Sequence, residues 1–90
     1  MIECRDGSVA WQLPHWGRQA AEAAPSWLVA RMMSGEAYIN HFGSLSIRTA
    51  GGVQICNPGD YILFREDRGI GVLPAARIGQ IADPGRQRAA

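Results

Sequence analysis

The chain has 90 residues, which is the length of one small domain, and its 47% hydrophobic and 19% charged residues are typical of a globular protein. The net charge of +1, with acids and bases interleaved, argues against a strongly basic DNA-binding protein and against a strongly acidic DNA mimic. No stretch is apolar and long enough for a membrane helix, and Met1–Asp6 lacks the pattern of a signal peptide. We therefore expect a cytoplasmic protein with reduced cysteines and no membrane partner.

The first half of the chain predicts one strand and one helix. Ser8–Leu13 alternates with a period of two, which is typical of a half-buried strand, and Pro14 ends it. Pro25 suits the first turn of a helix, so we expect a helix over about Pro25–Met33, ended by Ser34-Gly35. Its predicted buried side consists of Trp27, Leu28 and Met32.

The second half has the texture of antiparallel strands separated by turns. Asn57-Pro58-Gly59-Asp60 is the strongest local signal, because Pro presets φ at the second position of a type II turn and Gly accepts positive φ at the third. We expect this turn to close a β-hairpin. Pro74 then starts a short helical segment through Ile81. The predicted strands are Ala37–His41, Leu45–Thr49, Val53–Cys56, Tyr61–Phe64 and Ile70–Leu73.

Taken together, these elements predict a single α+β domain over residues 1–84. Its core is an antiparallel β-meander of about four to five strands, packed with one main helix and a short C-terminal helix. Residues 85–90 follow Pro84 and are expected to form a flexible C-terminal tail.

Several motifs in a fixed order resemble a known family. Leu45–Gly52 is followed by Asn57-Pro58-Gly59-Asp60-Tyr61-Ile62, and about ten residues later by Gly69 and Leu73-Pro74. This order resembles the small phage and prophage proteins marked by a PGDYI or PGDWI signature. Ala10-Trp11-Gln12 and Pro25-Ser26-Trp27-Leu28 also resemble family motifs, whereas Ala50-Gly51 replaces the usual Leu-Glu. The resemblance implies a phage or prophage accessory protein, and it implies no enzymatic activity.

The histidines and cysteines indicate neither a metal site nor a catalytic one. His15, His41, Cys4 and Cys56 do not fall at any metal-ligand spacing. Cys4 near His15 would imitate a nucleophile with its base, but nothing supplies an orienting third group or an oxyanion hole. We therefore expect no metal, no cofactor and no enzyme. A Cys4–Cys56 disulfide is the less favoured alternative to two free thiols.

Asp60 follows a glycine in a turn, a position that catalytic carboxylates also occupy. The structural interpretation is the better one, because a carboxylate in such a turn accepts hydrogen bonds from backbone amides of the turn. We expect Asp60 to stabilise the fold.

Aromatic and arginine side chains at loops and strand ends are the best candidates for a functional surface. Exposed aromatic residues beside Arg are typical of protein-interface hot spots, and they also suit stacking on a nucleotide base. The alternative is that Trp16 folds over the sheet as the rim of the core. The candidate binding residues are Trp16, Arg31, Tyr38, His41 and Arg48.

The sequence thus favours a protein that acts by occupying a surface. The first hypothesis is a phage-encoded antagonist of host antiviral defence, which binds a host defence protein or nucleoprotein complex such as a CRISPR effector in the host cytoplasm. The second is a sponge that sequesters a nucleotide immune signal, which favours a homodimer because a thin domain forms a deep pocket more easily between subunits. A small structural or assembly protein of the virion is the third.

Overall fold

The computed structural model describes residues 1–14, 23–40 and 43–83. The α+β class is confirmed: these residues form seven strands in two antiparallel sheets, together with one main helix and a short C-terminal helix. The expected tail over residues 85–90 lies outside them. The strands are β1 (Ile2–Glu3), β2 (Val9–Gln12), β3 (Ala37–Ile39), β4 (Leu45–Thr49), β5 (Gly52–Cys56), β6 (Tyr61–Arg65) and β7 (Gly69–Leu73). The helices are α1 (Ser26–Ser34) and α2 (Ile78–Ile81), the latter preceded by a 3-10 helix at Ala75–Arg77.

The strands divide between a four-stranded sheet, in the order β1-β2-β6-β7, and a three-stranded sheet, in the order β3-β4-β5. The turn predicted at residues 57–60 is confirmed: the Asp60 N–H donates to the Asn57 carbonyl at 2.9 Å, and Gly59 has a φ of 93°. The prediction that this turn closes a β-hairpin is wrong, because β5 and β6 lie in different sheets.

The partner of β6 explains why no hairpin forms. Leu13, just after β2, donates its N–H to the Asp60 carbonyl at 2.9 Å and accepts from the Gly59 N–H at 2.8 Å. Strand β6 then pairs with β2 along its length and with β7 on its other side. Both edges of β6 are therefore occupied, and the turn at residues 57–60 carries the chain from one sheet to the other.

Helix α1 begins after Pro25 and ends at Gly35, close to the predicted bounds. Gly35 adopts a φ of 84°, which is the left-handed conformation that a helix end of this kind needs. Leu28 is buried, but Met32 is 37% exposed, so its predicted place on the buried side is wrong. The Arg31 side chain takes that side of the helix instead, since it lies against the Phe64 ring.

The four-stranded sheet is the middle layer of the molecule, with a buried cluster on each face. The predicted common face of Val9, Trp11 and Leu13 is confirmed, because Trp11 and Leu13 belong to the larger cluster between the two sheets and α1. The opposite face packs on the C-terminal helical segment, where the predicted contacts of Leu73, Ile78 and Ile81 are confirmed. Other buried members of the larger cluster include Leu28, Leu45, Ile47, Cys56 and Ile62.

Candidate protein-binding face

The three-stranded sheet turns one face to the core and the other away from it. Leu45, Ile47 and Cys56 are fully buried on the core side. Because successive side chains alternate across a sheet, residues 46 and 48 of β4 and residues 53 and 55 of β5 lie on the other side. We call this other side the outer face.

The register of the three strands arranges the outer face in two rows. Ser46 pairs with Tyr38 on one side and with Ile55 on the other, which gives the row Tyr38–Ser46–Ile55. Arg48 pairs with Val53, and its N–H donates to the Glu36 carbonyl at 2.8 Å, which gives the row Glu36–Arg48–Val53. Cross-strand neighbours of this kind have Cβ atoms roughly 5 Å apart, so each row is a continuous line of contacts.

Three large side chains with apolar surface are exposed on this small area. Tyr38 is 57% exposed, Val53 is 61% exposed and Ile55 is 57% exposed. Ser46 is only 6% exposed, since the larger side chains of its row flank it on both sides. Single exposed apolar residues are ordinary on a protein surface, but adjacent ones that form a patch mark an interaction site.

Two opposite charges, Arg48 and Glu36, lie in the same row of the outer face. Arg48 is exposed, and its guanidinium forms no ion pair with any of the described residues. Arg and Tyr are the residue types that contribute most often to binding hot spots, because each combines a large contact area with directed hydrogen bonding. A partner carboxylate opposite Arg48 would meet a planar fork of N–H donors.

A polar contact borders the outer face at the start of β4. The Ser44 hydroxyl donates to the Asn57 side-chain carbonyl at 2.7 Å, and the Ser44 N–H donates to the Asn40 side chain at 3.3 Å. The first bond joins the end of the sheet to the turn that leads into β6. The apolar patch is thus bordered by polar side chains at this end, as protein interfaces commonly are.

The structure brings together two of the five predicted site residues. Tyr38 and Arg48 lie on the outer face in adjacent rows. Trp16 and His41 lie outside the described residues. Arg31 is elsewhere: its Nη1 donates to the Trp27 carbonyl at 3.1 Å and its guanidinium lies 5.4 Å from the centre of the Phe64 ring, so it holds α1 to the four-stranded sheet.

Val53 and Ile55 are exposed on the outer face, although the sequence did not predict them as surface residues. Their alternation in β5 was the available signal, and it correctly places the two side chains on one face. Which face points to the core depends on where the second sheet packs, and the local pattern does not contain that information.

A second feature is the open cavity beside the aromatic pair of α1 and β6. The Trp27 and Phe64 rings stack with centroids 5.0 Å apart and planes 8° from parallel. The cavity has a volume of about 590 Å³, and its lining includes Glu66 and Asp67. Arg65 also lines it and forms an ion pair with Asp67 at 2.7 Å. The Trp27 Nε1 is buried and has no hydrogen-bond partner among the described residues.

Asp60 has a structural role, as predicted, but with a different partner. Its carboxylate accepts a hydrogen bond from the backbone N–H of Ala75 at 3.0 Å, rather than from the amides of its own turn. Ala75 is the first residue of the 3-10 helix, where a backbone donor has no partner within the helix. Asp60 therefore caps the C-terminal helical segment from a distance in the chain.

The two cysteines are buried free thiols in separate clusters. Cys4 packs with Tyr61 on one face of the four-stranded sheet, and Cys56 belongs to the core between the sheets. Burial raises the pKa of Cys56 to about 12, and it also raises the pKa of Cys4. Both groups are neutral thiols at pH 7, whereas the thiolate is the reactive form.

Neither a metal-binding cluster nor a membrane-spanning helix occurs among the described residues. Within residues 1–14, 23–40 and 43–83, no three His, Cys, Asp or Glu side chains gather as a metal site requires. Neither described helix has the length and apolar character needed to cross a bilayer.

Comparison with known proteins adds no relative: no family model, curated protein or solved structure matches the chain. The resemblance to phage proteins with a PGDYI or PGDWI signature therefore rests on the ordered motifs alone.

Proposed function

We propose that this protein acts without catalysis, by binding another protein stoichiometrically through the outer face of the three-stranded sheet. The observation that carries the proposal is the exposed group of Tyr38, Val53 and Ile55 beside Arg48, which forms no ion pair with any of the described residues. The partner that fits is a protein surface with an apolar patch and a carboxylate placed opposite Arg48.

The energetics of such a contact favour a few strong residues. Each of these side chains is a little over half exposed, so covering it stabilises a complex by roughly 1–2 kcal/mol before the costs of association. Ile55 and Tyr38 flank Ser46 in one row, so a partner that covers this row desolvates two large side chains together. Arg48 in the neighbouring row then orients the partner through a charge-assisted hydrogen bond.

The biological setting of the proposal comes from the family resemblance. A phage or prophage accessory protein of this size that acts by binding would antagonise host antiviral defence in the host cytoplasm, and its target would be a defence protein or nucleoprotein complex such as a CRISPR effector. The resemblance supports this setting, while the outer face supports the protein-binding mode. The two parts are tested separately.

The nucleotide-sponge alternative has less support. The cavity beside Trp27 and Phe64 is its best candidate site, but Glu66 and Asp67 contribute negative charge to the lining. Arg65 is paired with Asp67, so it is not free for a phosphate. An anionic nucleotide would therefore meet carboxylates rather than unpaired Arg side chains.

The experiment compares co-purification for the wild type and two matched double variants. Arg48→Glu with Ile55→Asp changes the outer face, whereas Arg68→Glu with Met33→Asp makes the same chemical changes at exposed positions elsewhere. The tagged proteins are expressed in a host bacterium with an active CRISPR system, and phage plating efficiency is measured in parallel. We expect the wild type and the control variant to retain one host protein in constant ratio and to restore plating. The outer-face variant should lose both properties.

Two other outcomes separate the parts of the proposal. A constant-ratio partner without any rise in plating efficiency would contradict the host-defence setting but not protein binding. A thermal shift with cyclic dinucleotides, without any retained protein, would favour the sponge instead.

A further inference from the structure

Strand β5 lies at an edge of the three-stranded sheet and directs two of its peptide groups away from the sheet. The backbone groups of successive strand residues point to alternate sides of the strand. The Arg48 N–H points to β3 and donates to the Glu36 carbonyl, so the odd-numbered residues of β4 bond to β5 on the other side. Their partners on β5 are residues 52, 54 and 56. The N–H and C=O groups of Val53 and Ile55 therefore point to the free edge, and no described strand pairs with them.

Among the described edges, β5 is the one that is both long and exposed. The chain from Gly52 to Ile55 is exposed throughout, and the strand Gly-Val-Gln-Ile-Cys contains no charge and no Pro. By contrast, every residue of the other five-residue edge, β7, is buried or half-buried, because this strand packs against β4 and β5. Natural proteins usually protect an exposed edge with a charge, a Pro or a bulge. An unprotected edge with β-branched side chains is a template for another strand.

We propose that β5 pairs with β5 of a second copy of this chain, antiparallel about a two-fold axis that passes midway between the two Gln54 residues. In this register Val53 lies opposite Ile55 of the partner subunit, and Ile55 lies opposite Val53 of the partner subunit. Each of these pairs exchanges two backbone hydrogen bonds, because all four peptide groups point to the shared edge. The result is one six-stranded sheet.

The side chains of β5 make the strand complementary to itself. The two-fold axis brings the two Val53 and two Ile55 side chains together on the outer face, where each is more than half exposed in one copy. Cross-strand pairs of β-branched residues stabilise a sheet. On the opposite face Gln54 meets Gln54 of the partner subunit, and a pair of amides satisfies its donors and acceptors reciprocally.

Electrostatics permits this pairing. Arg48 is the nearest charge on the outer face, one strand in from the edge. Two copies of Arg48 would stand three strand spacings apart, which is roughly 14 Å across the joined sheet. That separation exceeds the Debye length of about 8 Å at physiological ionic strength, so their repulsion is screened.

The joined sheet has a consequence for binding. The rows of the two outer faces continue into each other, since the row Tyr38–Ser46–Ile55 is followed by Val53 and Arg48 of the partner subunit.

A single strand pair buries less than the roughly 800 Å² per partner of a standard interface, so we expect a dimer that depends on concentration, with a Kd on the order of micromolar. The inference concerns assembly and does not depend on the proposed function.

The test uses the residue on the two-fold axis. Sedimentation equilibrium over a wide concentration range should give a monomer–dimer equilibrium for the wild type. Gln54→Lys and Gln54→Glu place like charges opposite each other, so each alone should weaken the dimer about tenfold or more. An equimolar mixture of these two variants should restore the dimer, because opposite charges then meet at the axis.

Each remaining outcome contradicts the proposal. A wild type that stays monomeric at the highest concentration would overturn pairing at β5. Dimers that resist both Gln54 variants, or a mixture that stays monomeric although each variant has a native circular dichroism spectrum, would overturn the proposed register. Arg68→Glu is the control charge change and should leave the equilibrium unchanged.

Discussion

The Asp60 carboxylate accepts a hydrogen bond from the Ala75 N–H at 3.0 Å, and this contact links the turn between the two sheets to the C-terminal helical segment. The same turn is bonded to Leu13 through the backbone groups of Gly59 and Asp60. Three separate parts of the chain therefore meet at residues 57–60. This makes the turn a structural centre of the molecule, directly after strand β5 in the chain.

Removal of the Asp60 carboxylate should destabilise the fold without affecting binding. Asp60→Ala leaves the Ala75 N–H without its cap, and the loss of such a cap typically costs about 1 kcal/mol of the free energy of unfolding. Urea denaturation of Asp60→Ala and of the control Asp67→Ala, whose ion pair with Arg65 is partly exposed, measures the difference. Equal midpoints for the two variants would contradict the capping role.

The aromatic stack between Trp27 and Phe64 should hold α1 to the four-stranded sheet, together with the buried Leu28. Phe64→Ala removes the stacked ring and the surface under Arg31, so we expect a loss of about 3 kcal/mol in the free energy of unfolding. Met32→Ala, on the exposed side of the same helix, should change this free energy by less than about 1 kcal/mol. Chemical denaturation compares the two, and a larger effect at Met32 would contradict the orientation of α1.

The buried thiol of Cys56 should make stability fall at alkaline pH. Burial raises its pKa from 9.0 to about 12, so above pH 9 the unfolded chain loses a proton that the folded chain keeps. Unfolding is then favoured by up to about 1.4 kcal/mol per pH unit between these two values. The free energy of unfolding, measured from pH 8 to 11, should decline less steeply in Cys56→Ala than in the wild type. If the free energy of unfolding declines equally steeply with pH in the two proteins, the Cys56 thiol is not buried as described.

The same burial predicts slow chemical modification. Both thiols are protonated and inaccessible at pH 7, so iodoacetamide should modify the native protein much more slowly than the urea-unfolded chain. Mass spectrometry of timed samples measures this. Rapid modification of native Cys4 or Cys56 would contradict their place in the two clusters.

Local signals in the sequence predicted the local structure well. Pro25 and Gly35 mark the two ends of α1, and Pro58-Gly59 gives the turn, because each residue acts on its own backbone torsion angles. The partner of β6 is a different kind of information. Pairing with β2, about fifty residues earlier, depends on contacts across the fold, and the adjacent β5 was the natural but wrong expectation.

Only part of the candidate site was predicted, because contacts across the fold decide which side chains stay exposed. Tyr38 and Arg48 were identified from residue type, and the register of three strands places them on one face. Arg31 was chosen on the same grounds, but its guanidinium lies over Phe64, a residue more than thirty positions away. Val53 and Ile55 resemble core residues by composition, and only the packing of the sheets leaves them exposed.

The outer face is most directly tested by the stoichiometry of co-purification with the two matched double variants. We expect one host protein in constant ratio with the wild type and with Arg68→Glu/Met33→Asp, and its loss with Arg48→Glu/Ile55→Asp. The circular dichroism spectrum and urea midpoint of each variant show that the fold is intact. Retention of the same partner at an unchanged ratio by the folded outer-face variant would contradict the claim that this protein binds through the outer face.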